Sequence, residues 1–140
     1  MTRVEFFFNV PDKLAKVSEI CSKALAQGHQ ITVISRDDDL SSDLQQRLWQ
    51  HAATSFLPSA TPEDAIRQDT PIVLAIDGEA LLQDDILINL QTAHPPFFGR
   101  FRLLVELVGT DDDDKVAARV RFRFYRDRGY EVKSIDMALS

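Results

Sequence analysis

Apolar runs of strand length recur along the chain, separated by segments whose apolar residues return every three or four positions. Val4 to Phe8 opens the series and is ended by Asn9 and Pro11. Ile31 to Ile34, Ile72 to Ile76, Ile86 to Leu90, Leu103 to Val108 and Tyr130 to Asp136 follow as further strand candidates. Ile72 to Ile76 is apolar throughout, as expected for a strand covered on both faces. Between the first two, Leu14, Val17, Cys21 and Leu25 share one helical face. Pro11 suits the first turn of that helix and Gly28 its stop. Ser42 and Gln45 have the spacing of a capping box, and Leu44, Leu48 and Ala52 form a narrow apolar face behind it. Trp49 falls at the edge of that stripe. Pro58 to Pro71 is a polar connection carrying three prolines. Strands interleaved with amphipathic helices predict an α/β fold: a single domain over residues 1–140, with a mainly parallel central sheet flanked by helices. Residues 77 to 102 show no clear crossover helix, which leaves the strand order there open.

The last helix carries the most information. Thr110 and four consecutive aspartates, Asp111 to Asp114, suit a helix N-terminus, where oxygens cap free N–H groups and negative charge complements the dipole. Beyond them, arginines alternate with apolar residues. At about 100° per residue, Val116, Ala117, Val120 and Phe124 fall together as the expected core face. Lys115, Arg119, Phe122 and Arg126 gather on the opposite side as a basic stripe with an aromatic in its middle. Such a stripe suits a ligand with both negative charge and an apolar group. An acidic peptide ending in an aromatic residue and a free carboxylate satisfies both demands. Single-stranded nucleic acid is the competing ligand, with phosphates for the arginines and bases to stack on Phe122.

Composition narrows these choices. With 140 residues, 44% of them hydrophobic, the chain has room for one domain with a substantial core. A formal net charge of −6 argues against general nucleic-acid binding, so an anionic partner must meet a local basic patch. Cys21 is the only cysteine, which excludes an intrachain disulfide and a cysteine-rich zinc site. The opening MTRVEFFFNV lacks the pattern of a signal peptide, and no apolar run approaches the ~18 residues of a membrane span. A cytoplasmic protein without membrane contact is the expectation.

Catalytic motifs are missing. The five glycines are isolated, so no P-loop or dinucleotide fingerprint is present. His29, His51 and His94 lack metal-ligand spacing and read as surface or structural residues. Cys21 reads as a core residue. Asp37, Asp38 and Asp39 follow one strand, and Asp84 and Asp85 precede another. They suit turns and caps, although a small metal-dependent nuclease or phosphatase using Asp37, Asp38 or Asp85 is the alternative they leave open. No cofactor is expected.

Three segments carry a resemblance: LWQHAATSFLP (Leu48 to Pro58), DILINL (Asp85 to Leu90) and VELVGTDDDDKVAARVRFRFYRDRGYEV (Val105 to Val132). In this order and spacing they resemble the chi subunits of the bacterial DNA polymerase III holoenzyme, and the resemblance runs over nearly the whole chain. It implies a non-catalytic accessory subunit, with a fold similar to mononucleotide-binding domains but without nucleotide chemistry. It also implies pairing with the psi subunit, which joins chi to the clamp loader, and binding of the acidic C-terminal tail of single-stranded-DNA-binding protein. DNA is then met only indirectly. By position, Val108, Lys115, Arg119 and Phe122 match the family's tail-binding surface, with Arg119 as the carboxylate clamp. Where Phe122 stands the family also uses tyrosine. Trp49 and Phe56 match the psi surface, which a repair helicase shares in some bacteria. Both aromatics also suit a core position at a helix end.

Overall fold

The computed structural model describes residues 2–35, 42–43, 59–60, 72–75 and 84–137. Seven strands form one parallel sheet: β1 (Arg3–Phe8), β2 (Ile31–Ile34), β3 (Ser59–Ala60), β4 (Ile72–Ala75), β5 (Ile86–Asn89), β6 (Leu103–Leu107) and β7 (Glu131–Asp136). Their order across the sheet is β3-β4-β2-β5-β6-β1-β7. The expected α/β class is therefore the observed one, and six of the seven strands end within a residue or so of their sequence limits. The seventh, β3, lies in Pro58 to Pro71, which the sequence reads as a polar connection, because two residues pairing at the sheet edge are too few to show a strand period. The expected helix behind Ser42, with Trp49 and Phe56, lies almost wholly outside the described residues, as do Asp37, Asp38, Asp39 and His51.

The open stretch after residue 77 resolves in part. β5 lies between β2 and β6, in parallel register with both. A parallel neighbour requires a crossover, and here residues 90–102 supply it with a short 3-10 turn, Phe98–Arg100, in place of an α-helix. Phe98 and Phe101 are buried there.

Helix α1 (Lys13–Ala26) follows β1. Asp12 is its N-cap, its carboxylate accepting from the Ala15 N–H at 3.2 Å, so Pro11 stands before the cap and not in the first helical turn. Gly28 takes φ +81°, the left-handed conformation that ends helices without the Cβ clash other residues meet. Val17, Cys21 and Ala24 pack on one face of the sheet against Ile31, Val33, Ile86 and Ile88. Burial pushes the Cys21 thiol up to about 12, as suits a core residue.

Helix α2 (Asp112–Asp127) covers the other face, where Val4, Phe6, Leu87 and Leu104 meet Ala118 and Tyr125. Its orientation corrects the sequence expectation. Val116 and Val120 are 57% and 65% exposed, whereas Ala118, Arg121 and Tyr125 are buried. Apolar periodicity misplaces the core face because the residue at its centre is an arginine. The reason is Glu106, which strand alternation turns toward α2 in the middle of β6, fully buried. A buried carboxylate needs donors, and the helix supplies them. Arg121 Nε donates to Glu106 Oε1 at 3.1 Å and Tyr125 OH to Oε2 at 2.5 Å, while Asn89 Nδ2 from β5 donates at 3.1 Å. Arg121 Nη1 reaches on to the Thr92 carbonyl at 2.8 Å, tying the turn after β5 to the same cluster. Burial raises the Glu106 carboxyl above its ordinary range, with Arg121 opposing that shift.

Phe124, expected in the core, is half-buried under the crossover. His94 stacks on it with ring centroids 3.7 Å apart, and the Arg128 guanidinium lies 4.2 Å from its centroid. Burial, aided by Arg128, lowers the His94 pKa.

Candidate functional site

Strand alternation along β1 sends Phe7 to the α1 side of the sheet and Phe6 and Phe8 to the α2 side. Beyond Phe8 the chain turns at Asn9, whose φ of 59° lies in the left-handed region that asparagine tolerates better than most residues. Asn9 Nδ2 donates to Asp136 Oδ1 of β7 at 2.9 Å, which fixes the turn. The Val108 N–H donates to the Phe7 carbonyl at 2.8 Å, and the Val10 N–H to the Val108 carbonyl at 3.0 Å. The carboxyl ends of β1 and β6 are thus held side by side. Ligands of open parallel sheets bind outside these strand ends.

A cavity of about 340 Å³ opens here, between the strand ends and one flank of α2. Phe6, Phe8 and Val108 line it from the sheet, and Ala118 and Phe122 from the helix. Phe122 is half-buried, its ring 5.4 Å from that of Phe6. Lys115 and Arg119 complete the wall as cationic members, and among the described residues no carboxylate lines it; Asn9 and Ser134 supply neutral polar groups. Arg119 is exposed, and its guanidinium makes no ion pair with another described residue. An apolar floor with a positive rim accepts a small group that is apolar at one end and anionic at the other. The volume, near the lower end of the roughly 300–1,000 Å³ of small-molecule sites, suits one side chain with a terminal charge.

All four residues assigned by resemblance, Val108, Lys115, Arg119 and Phe122, line this one cavity. Arg126, grouped with them on the helical wheel, does not line it and instead pairs with Asp127 at 3.5 Å. Phe6, Phe8, Asn9, Ala118 and Ser134 escaped the sequence reading. The alternation Val4, Phe6, Phe8 was a usable signal for two of them, and the i, i+4 spacing of Ala118 and Phe122 for a third; Asn9 and Ser134 join the site through the parallel pairing of β1 and β7 and the turn that follows β1.

The four aspartates start the helix without crowding the cavity. Asp111 is the N-cap and Asp112 and Asp113 are exposed. Asp114 turns toward α1, where Lys13 Nζ lies 2.7 Å from its Oδ2 and the Gly109 N–H donates at 2.6 Å. Burial acts to raise its carboxyl, but Lys13 and the Gly109 amide outweigh it and the net shift is downward. This anchors the two helix N-termini to each other.

Asp85 has a different setting. It precedes β5, at the amino end of the sheet, and its Oδ2 holds His29 Nδ1 at 3.0 Å and the Gln30 N–H at 3.1 Å. That joins the starts of β2 and β5, away from the cavity. Among the described residues no group of three or more His, Cys, Asp or Glu could hold a metal ion. No described helix is long and apolar enough to cross a membrane.

Fold and cavity define an α/β protein of the open parallel-sheet class, with its concave site built from strand ends and a helix flank. Comparison with known proteins makes this specific. The chain belongs to the DNA polymerase III chi subunit family: the family model described as "DNA polymerase III chi subunit, HolC" matches residues 1–133. It is 35% identical over 139 residues to the DNA polymerase III subunit chi of Pseudomonas aeruginosa, covering 95% of both chains. It is 27% identical over 135 residues to that of Haemophilus influenzae, covering 93% of this chain and 94% of the relative. With the Escherichia coli subunit it shares 28% identity over 119 residues, or 84% and 81% of the two chains. The chain is thereby placed in DNA replication, as a subunit of DNA polymerase III.

Proposed function

We propose that this chi subunit is a non-catalytic bridge: the cavity between α2 and the ends of β1 and β6 binds the acidic C-terminal tail of single-stranded-DNA-binding protein, and a separate surface carrying Trp49 and Phe56 binds the psi subunit and through it the clamp loader. The observation that carries the tail site is the convergence of an apolar floor with two cations in a cavity that no carboxylate of the described residues lines. The terminal aromatic ring of the tail lies on Phe6, Val108 and Phe122. Its carboxylate pairs with the Arg119 guanidinium, which offers two parallel N–H donors to two oxygens, and Lys115 adds attraction at longer range. Phe122 provides an apolar wall and no hydroxyl for the peptide.

Calorimetric titration with a short acidic peptide ending in Pro-Phe and a free carboxylate, beside its amidated form, tests the tail site. Micromolar binding that amidation abolishes is the expected result. Equal binding of the two forms, or none of either, refutes a carboxylate-reading cavity. For the second surface, Trp49→Ala weakens psi binding and leaves the peptide titration unchanged; equal weakening of both identifies general destabilisation instead.

A further inference from the structure

Val116 and Val120 are the two large apolar side chains that stand well exposed among the described residues. One turn of α2 separates them, about 6 Å along the axis, so they form one patch. On the helical wheel Arg123 falls on the cavity side of both valines, about 20° from Val116, and Arg119 lies between the patch and the cavity. Neither arginine makes an ion pair with another described residue. Nearby acids sit at the helix ends, Asp112 and Asp113 at the start and Asp127 at the finish, leaving the middle turns basic and apolar. Single exposed apolar residues need no explanation, but an apolar pair continuous with a cavity and flanked by guanidinium groups that pair with no described residue does.

We propose that the outer face of α2, through Val116, Val120 and Arg123, is the second half of the tail site and receives the acidic segment that precedes the terminal aromatic residue. This rests on the tail-binding reading above. With its carboxylate at Arg119, the peptide leaves the cavity over the helix. An extended chain advances about 3.3 Å per residue, so some three to five residues cross a helix about 10 Å wide. Alternating side chains then place apolar groups on the valines and carboxylates toward Arg123. A second copy of this chain fits less well. The patch is far smaller than the roughly 800 Å² per partner of a stable interface, and its arginines repel their own copies.

The test uses two peptides sharing the same last four residues, with the longer adding six residues in which aspartates alternate with apolar side chains. Both are titrated into wild-type protein and into V116S/V120S. The longer peptide is expected to bind wild type about tenfold more tightly, as partial burial of two valines implies, and to lose that gain in the variant while the short peptide binds both proteins equally. An unchanged thermal midpoint for the variant confirms that the exposed substitutions leave the fold intact. If the short peptide binds and the longer gains nothing, or keeps its gain in the variant, the extension is wrong and the cavity reading stands. If neither peptide binds wild type, the cavity reading fails as well. Sedimentation showing a wild-type dimer that V116S/V120S dissolves assigns the patch to a second copy and overturns the proposal.

Discussion

Arg121→Met tests the packing of α2 most directly, because it removes the cation beside a carboxylate with no access to water. Glu106 and Arg121 are 0% and 3% exposed at their side chains, with Nε and Oε1 3.1 Å apart. Removing one member of such a pair leaves an uncompensated buried charge, at a cost of about 3–5 kcal/mol. For a domain whose total stability is of the order of 5–15 kcal/mol, that is a large fraction. The lost bond to the Thr92 carbonyl adds little, since Thr92 is exposed and water can replace the donor. The pH dependence has a definite sign. Burial already raises the Glu106 carboxyl above its unfolded value, and loss of Arg121 raises it further. A carboxyl raised in the folded state favours folding below its unfolded pKa and opposes it as pH rises through the folded pKa. The deficit of the variant relative to wild type is therefore largest at neutral pH and shrinks as pH falls through that raised range. Adding Glu106→Gln keeps a carbonyl to accept from Tyr125 while removing the charge, and restores at least half of the loss. Urea unfolding of the wild type, both single variants and the double variant at several pH values measures these differences. A loss below about 1 kcal/mol for Arg121→Met, independent of pH, refutes the account.

Other expectations concern the cavity and the helix starts. Arg119→Ala loses about 1.5–3 kcal/mol of tail-peptide affinity in calorimetry, the range for a hydrogen bond to a charged group, with no change in thermal midpoint because its guanidinium is exposed. Phe122→Tyr retains the apolar wall and adds a hydroxyl at its edge, so peptide affinity is equal or higher; a tenfold loss counts against the placement of the ring. Asp114 has a depressed carboxyl, so its contribution is present above the unfolded pKa and lost as pH falls through the folded one. Asp114→Asn accordingly costs about 1 kcal/mol at neutral pH and makes the acid limb of the stability profile shallower, as followed by urea midpoints between pH 7 and pH 3.

Glu106 shows where pattern reading reaches its limit. In the run LLVELV a single charged residue at a central strand position reads as an interruption, and nothing adjacent in sequence identifies its partners. They come from Asn89, Arg121 and Tyr125, on β5 and α2. Once Glu106 is buried, Arg121 must face inward, and the wheel of α2 turns so that Val116 and Val120 face solvent. Lys115, Arg119 and Phe122 stay together through this change because their grouping depends only on the angle per residue.

The sequence by itself determined the α/β class, the positions of six of the seven strands, the first helix with its stop at Gly28, and the association of two cations with one aromatic on a flank of α2. These are consequences of periodicity and local backbone conformation, which act over a few residues. Tertiary structure alone decided which side of α2 is buried, that Asp114 spends its charge on Lys13, and that Phe6, Phe8 and Val108 form the floor beneath Arg119. Those outcomes depend on strands far apart in the chain lying side by side, and on the cost of leaving a carboxylate without donors inside the sheet.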